Sequence, residues 1–216
     1  MHYQKVNNWN ILLPMILVFI LMIISLSLYP IIVTGLKWNL LLTIGVFFGY
    51  LLVWLKISPD RFSRNSGLLI GVLFMINISI EEFIVWTFKK GNLVSTFIMM
   101  AIIFVSFAII GGVKTYQTRN IFNGLKSSLI SALLGTLIAI NFGFAIDYIF
   151  LNKITNGLQG YPGFNNFDSP KAFTFYNSFD NALSHLIIAP LISIIMGASG
   201  GLLALRILKL QKKVKF

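Results

Sequence analysis

The sequence predicts an all-α polytopic membrane protein with six transmembrane helices. The chain has 216 residues, of which 57% are hydrophobic and only 11% are charged, and its mean hydropathy is +0.86. A soluble domain carries about 25% charged residues, so the composition excludes an ordinary soluble enzyme. High hydrophobicity also excludes a disordered chain. The chain contains no cysteine and only two histidines, His2 and His185, so we expect no cofactor and no metal centre.

Six stretches of the chain are long and apolar enough to cross a bilayer, which takes about 20 residues of helix. The predicted spans are residues 11–33, 38–55, 67–86, 93–113, 125–150 and 182–208. The first run is longer than the apolar segment of a signal peptide, and no small-residue cleavage site follows it, so we expect it to be retained. Tryptophan prefers the headgroup level of a membrane. All four tryptophans lie at or beside the end of a predicted span: Trp9, Trp38, Trp54 and Trp86.

The basic residues are distributed unevenly between the two sides of the predicted bundle. Twelve of the 17 lie on the side of the termini, and Lys37, Lys89, Lys90, Lys153 and Lys171 are the 5 on the other side. Cytoplasmic loops carry an excess of Lys and Arg, so we expect both termini to lie in the cytoplasm and the protein to lie in the plasma membrane. The net charge of +11 is explained by this topology, and we expect no nucleic-acid partner.

The connection between the fifth and sixth spans is long and rich in aromatic residues. We expect residues 151–180 to form an outer loop, within a single transmembrane domain that comprises residues 1–216. A loop of this length is usually functional or disordered, and aromatic side chains would gain by packing on the bundle. We therefore expect a partly ordered cap over the outer face. Its aromatic residues are Tyr161, Phe164, Phe167, Phe173, Phe175, Tyr176 and Phe179.

Small residues recur every four positions along the last two predicted spans. Helices in a membrane associate through close packing at such residues. We therefore expect these two spans to pack against each other in antiparallel orientation. The packing residues of this predicted seam are Gly135, Ala139 and Gly143 on the fifth span and Ser193, Gly197 and Gly201 on the sixth. The pairs Gly45/Gly49 and Gly67/Gly71 predict a second seam.

Ionisable and amide side chains within the predicted spans form the candidate binding site. Carboxylates inside a membrane usually line a water-filled path or pair with a ligand. The ladder of small residues in the fifth span leads to Asp147, and that of the sixth leads back to His185, which predicts that these two lie close together. The candidate ligand- or ion-binding residues are Glu81, Glu82, Asp147, His185, Asn77 and Asn141. The alternative interpretation is a structural cluster of buried polar groups.

Two short motifs resemble those of intramembrane proteases. The run Gly197-Ala-Ser199-Gly200 resembles the nucleophile motif of rhomboid proteases, but no histidine follows it. Glu81-Glu82 is similar to the diglutamate of CAAX-type proteases, but Trp86 stands where that family has an arginine. We therefore expect no enzymatic activity and no catalytic residues, and an intramembrane hydrolase is a remote alternative.

Two functional hypotheses follow from the sequence. The first is a membrane protein that captures or conducts a small solute or cation from the outer side through the acidic pocket. Its six-span plan is similar in topology and size to the substrate-capturing subunits of energy-coupling-factor transporters, although no motif is shared. The second is a non-catalytic membrane subunit that docks a partner subunit or forms a homo-oligomer in the lipid bilayer.

Overall fold

The computed structural model is all-helical in the part of the chain that it describes, residues 9–56, 59–88, 93–159, 167 and 169–213. It contains six helices in these ranges. They are α1 (Trp9–Leu28), α2 (Ile31–Lys56), α3 (Arg61–Phe88), α4 (Leu93–Thr118), α5 (Ile121–Gly157) and α6 (Pro170–Lys213). The predicted fold class, all-α, is confirmed.

Four of the six helices are long and apolar enough to cross a membrane, so the protein is membrane-embedded. Their spanning segments are Arg61–Ile84, Phe97–Thr118, Ile121–Gly157 and Pro170–Gln211. The apolar segments of α1 and α2 are shorter, Leu12–Leu28 and Leu41–Val53. The structure thus supports four of the six predicted spans by length and composition.

The first two helices are divided at a different place from the one the sequence predicted. The predicted connection at residues 34–37 lies inside α2, and the chain breaks instead at Tyr29 and Pro30. Proline has no backbone N–H and disfavours helical geometry in the residue before it. This local effect ends α1 at Leu28 and lets α2 begin at Ile31.

Most of the predicted loop 151–180 is helical. Residues 151–157 continue α5 beyond a kink at Phe150, and residues 170–180 form the start of α6; residues 160–166 and 168 lie outside the described part. Phe175 and Phe179 are spaced by one helical turn and are 0% and 2% exposed. The free energy gained by burying these two side chains exceeds the cost of placing the polar residues between them in a helix. Packing therefore stabilises this segment as a helix. The expectation that its aromatic residues rest on the bundle is confirmed for these two.

Helix α5 is the centre of the bundle. In its apolar window 61% of the residues are buried, against 22–28% in the other three long helices. Buried serines join it to its neighbours. The Ser131 hydroxyl donates to the carbonyl of Ser63 on α3 at 3.0 Å, and the Ser128 hydroxyl donates to the carbonyl of Ser193 on α6 at 2.9 Å.

The predicted seam between α5 and α6 is only partly present. A Cβ atom on Gly197 would lie 2.7 Å from the Cβ of Ser128 on α5, as the seam requires. Gly135 instead faces α3, where an added Cβ would lie 2.9 Å from the Cβ of Ile70. A period of four residues places small side chains on one stripe but does not decide which neighbour that stripe meets. On a central helix with four neighbours, α1, α3, α4 and α6, the slow rotation of the stripe carries it from one neighbour to the next.

The other small residues of the predicted seams face different helices, and Gly45 and Gly49 face none within the described chain. Ala139 belongs to a buried cluster with Ile70 and Phe74 of α3 and Ala189 of α6. Gly201 faces Thr115 and Ile121 beside the turn between α4 and α5. In the second predicted seam, Gly67 and Gly71 pack on Leu134 and Ile138 of α5, whereas added Cβ atoms at Gly45 and Gly49 would meet nothing within 4 Å.

The start of α3 is anchored by Asp60. Its carboxylate accepts a hydrogen bond from the backbone N–H of Ser63 at 2.8 Å, so Asp60 caps the N-terminus of α3. The same carboxylate pairs with the ammonium group of Lys114 at the end of α4. Burial alone would raise the pKa of Asp60, but the hydrogen bonds from Lys114 and Ser63 outweigh it and hold the pKa below the ordinary value. The pair ties the ends of α3 and α4 together.

A tyrosine hydroxyl satisfies the carbonyl that Pro190 leaves open in α6. Proline cannot donate to the carbonyl four residues earlier, which is that of Leu186. The Tyr50 hydroxyl of α2 donates to this oxygen at 2.8 Å. We expect Tyr50→Phe to lower the free energy of unfolding by about 1–2 kcal/mol, because the carbonyl would lose its partner in an apolar environment. SDS titration in mixed micelles measures this loss. Tyr116→Phe is the matched control, since that hydroxyl is exposed and should be neutral within about 0.5 kcal/mol.

Candidate functional site

A cavity of about 180 Å³ lies between α3, α5 and α6. Five of the six candidate binding residues line it, and they come from three separate helices: Asn77, Glu81 and Glu82 from α3, Asp147 from α5 and His185 from α6. The cavity is roomy enough to hold several waters or a small solute. The geometry therefore places most of the candidate residues around one space, while their role stays a prediction.

Helix α3 contributes two adjacent columns of side chains to the wall. Asn77 and Glu81 are one turn apart on the first, and Ile78 and Glu82 are one turn apart on the second. Asn77 is only 2% exposed, and its Oδ1 atom has no hydrogen-bond partner among the described residues. A buried amide oxygen without a partner costs free energy, so this atom is a ready acceptor for a group that enters the cavity.

Helix α5 supplies the opposite wall. The Asp147 side chain is 6% exposed, and its carboxylate accepts a hydrogen bond from the Ser178 hydroxyl of α6. Gly143 lies one turn before it and also lines the cavity, and an added Cβ atom there would meet nothing within 4 Å. The absence of a side chain at Gly143 therefore leaves open the space in front of Asp147.

The first part of α6 completes the site with residues that sequence analysis did not select. Thr174, Asn177, Ser178 and Asn181 line the cavity, and the Thr174 hydroxyl also contacts that of Thr155 on α5 at 2.9 Å. The first three were missed because residues 151–180 were predicted to be a loop, and Asn181 lies between that loop and the predicted sixth span, 182–208. Their spacing of three and four residues places them on one face of a helix, and this was the signal that could have found them.

Asp147 and His185, which the sequence predicted to lie close together, have different hydrogen-bond partners in the structure. Both residues line the cavity, but Asp147 is bonded to Ser178, and the Nδ1 atom of His185 lies 2.8 Å from the carbonyl oxygen of Asn181. The His185 ring also packs edge-on against Phe74, with the ring centroids 5.8 Å apart. Because α6 begins at Pro170, 15 residues before His185, it includes Ser178, whose hydroxyl reaches the Asp147 carboxylate.

Asn141 lies outside the cavity. Its amide Nδ2 donates to the carbonyl of Pro14 on α1 and to that of Leu137, both at 2.9 Å. The prediction that Asn141 belongs to the binding site is therefore wrong, and this residue instead tethers α1 to α5. Asn77 and Asn141 have similar depth in their spans, but they face different neighbours, and depth alone could not reveal this.

The cavity wall combines acidic groups with neutral hydrogen-bonding groups and hydrocarbon. Its three carboxyl groups are those of Glu81, Glu82 and Asp147, and neither Lys nor Arg is among the described residues that line it. Nearly half of the lining residues are Ala, Ile, Leu or Phe, including Phe144. A concave wall of apolar groups with a few convergent polar ones is typical of sites for small molecules.

No protein-family model, curated protein or solved structure matches this chain.

Proposed function

We propose that this protein captures or conducts a small cation or polar solute through the acidic cavity between α3, α5 and α6. The observation that carries the proposal is that three carboxyl groups and the Asn77 oxygen, which has no partner among the described residues, converge on one space inside a membrane-embedded bundle. Ionisable residues at such positions are costly, and they usually mark a substrate or ion pathway. Low-dielectric walls strengthen the field of the carboxylates and raise the local concentration of cations.

The proposal requires the cavity to face the outer side of the plasma membrane, with both termini in the cytoplasm. Because the natural chain has no cysteine, single cysteines can be labelled without background. The two positions chosen for cysteine are both exposed. Gln159 follows the cavity end of α5, and Arg61 lies at the opposite end of the bundle. We expect an impermeant maleimide to label the first from outside intact cells and the second only after lysis. The reverse pattern would invert the proposed orientation.

The cation preference of the cavity can be measured before any solute is known. Gly143→Cys places a thiol in the open space beside Asp147. We expect a cationic methanethiosulfonate reagent to modify this thiol at least about 10-fold faster, relative to a free thiol, than the anionic reagent of similar size. Asp147→Asn in the same background should reduce the ratio toward one.

The control for this experiment is Gly45→Cys on α2, a position that is exposed and has nothing near it. It should show no preference that depends on Asp147. Equal rates for the two reagents at Gly143→Cys would contradict the proposal, as would a thiol there that neither reagent reaches.

A second candidate function is that of a membrane subunit that docks a partner. The observation that favours it is the exposed pair Gly45 and Gly49, which lie one turn apart on α2 with no atom within 4 Å of either added Cβ. Pairs of small residues with this spacing are common where membrane helices associate. Here the face that carries them is covered by no other helix of the described chain.

Two leucine substitutions separate the two candidates. Gly143→Leu fills the cavity, and Gly45→Leu adds the same volume to the exposed face of α2. If the cavity is the functional site, only Gly143→Leu should abolish the charge preference, measured with the thiol at a neighbouring lining position, Asn177→Cys. If docking is the function, only Gly45→Leu should change the mass of the complex isolated in mild detergent.

A further inference from the structure

The chemistry of the cavity wall indicates which kind of cation fits it, on the premise that the proposed function is correct. Each of the three helices contributes both polar and apolar side chains to the wall. A bare metal ion such as Ca²⁺ takes six to eight oxygen ligands. A wall that is nearly half hydrocarbon suits a ligand that itself has a charged end and an apolar end.

The charged end has a defined place. Asp147 is buried and already accepts one hydrogen bond from Ser178, which fixes the orientation of its carboxylate. The Asn77 Oδ1 atom is buried and, among the described residues, has no donor. An ammonium group carries three N–H donors and no acceptor. Such a group between α3 and α5 would donate to Asp147 and to Asn77 and would satisfy the amide oxygen that the protein leaves open.

The apolar end also has a defined place. Ile78, Ile140 and Phe144 line the same cavity, and Phe144 is held by an edge-on contact with Phe179 at a centroid distance of 5.3 Å. The face of an aromatic ring attracts a cation, and its surface is also a good contact for an alkyl chain. The open space in front of Gly143 leaves room for a short chain.

We propose that the ligand of this cavity is a small alkylammonium compound, a primary amine with a short apolar chain. Its ammonium group is held by Asp147 and Asn77, and its hydrocarbon lies against Ile78, Ile140 and Phe144. Glu81 and Glu82, which are partly exposed, contribute negative potential at the cavity and draw the cation in.

The experiment is a thermal unfolding series on the full chain in detergent micelles. The probes are n-propylammonium, sodium, calcium and magnesium chlorides at one ionic strength, together with neutral n-propanol. We expect n-propylammonium to raise the Tm by about 5 °C at saturation, and the other four probes to give no more than the common salt effect. Asp147→Asn should abolish the shift. Asn77→Leu, which keeps the branching of the side chain but removes its hydrogen-bonding groups, should weaken the apparent affinity at least about 10-fold.

The matched control is Asn141→Leu, which removes an amide of the same type that lies outside the cavity. Its Tm falls, but the shift caused by n-propylammonium should be the same as in the natural chain. A shift by the amine that survives Asp147→Asn would overturn the inference.

The outcomes separate the ligand class from the function itself. If calcium or sodium stabilises the protein in an Asp147-dependent way and the amine does not, the alkylammonium class is wrong and the proposed function stands. If none of the probes shifts the Tm and Gly143→Cys shows no cation preference, both proposals are wrong. If the cation preference is present and no probe binds, the ligand class alone is wrong.

Discussion

Gly200→Ala is expected to destabilise the bundle by about 2 kcal/mol, although alanine is the better helix former. An added Cβ atom at Gly200 would penetrate the backbone carbonyl of Ala108 on α4 and would lie 2.7 Å from its carbon. Backbone atoms cannot rotate away as a flexible side chain can, so α4 and α6 must separate along their crossing. The helix propensity of alanine offers only about 1 kcal/mol in return, and overpacking of this kind costs about 1–3 kcal/mol or more.

The control for this substitution is Gly49→Ala, where an added methyl group meets nothing within 4 Å. Because only the helix propensity changes there, we expect it to be neutral or to stabilise the protein by up to about 1 kcal/mol. Both variants are measured by SDS titration in mixed micelles with circular dichroism as the signal. Equal stability of the two variants would mean that α4 and α6 do not cross at Gly200.

Phe179→Ala is expected to cost about 3–5 kcal/mol, the range observed when a buried phenylalanine is truncated. The Phe179 side chain is 2% exposed and packs edge-on against Phe144, which is itself part of the cavity wall. Its removal takes away one of the buried aromatic contacts between the start of α6 and α5. The same variant should also expose residues 170–181 to protease, because a helix that loses its packing frays.

Phe122→Ala is the matched control, since that side chain lies on the central helix α5 and is 74% exposed. It should change the free energy of unfolding by less than about 0.5 kcal/mol. If Phe179→Ala were as mild as Phe122→Ala and did not increase proteolysis, the segment 170–181 would not be packed as the structure describes.

The predicted fold class follows from properties that are local in the sequence. Length, hydropathy and scarcity of charge are sufficient to indicate apolar helices, because a chain in lipid must satisfy its backbone hydrogen bonds within each segment. The boundary between α1 and α2 was predicted wrongly because the apolar run continues past Pro30, where the backbone of proline interrupts the helix. The helical ends of α5 and α6 were missed for a related reason. Their Asn, Gly and Pro residues favour a loop, and only burial of Phe175 and Phe179 against neighbouring helices stabilises the helix.

The sequence by itself selected Glu81, Glu82, Asp147, His185 and Asn77 as unusual, because polar groups in apolar helices are costly wherever they lie. Their convergence on one cavity was decided by the tertiary structure, through the rotation and the crossing of α3, α5 and α6. The same packing places Asn141 against α1 and Gly135 against α3, and it brings the Ser178 hydroxyl within hydrogen-bond distance of Asp147. Helical periodicity fixes which side chains share a face, but it contains no information about the neighbour that the face meets. That choice depends on close packing among all six helices, and only the folded chain makes it.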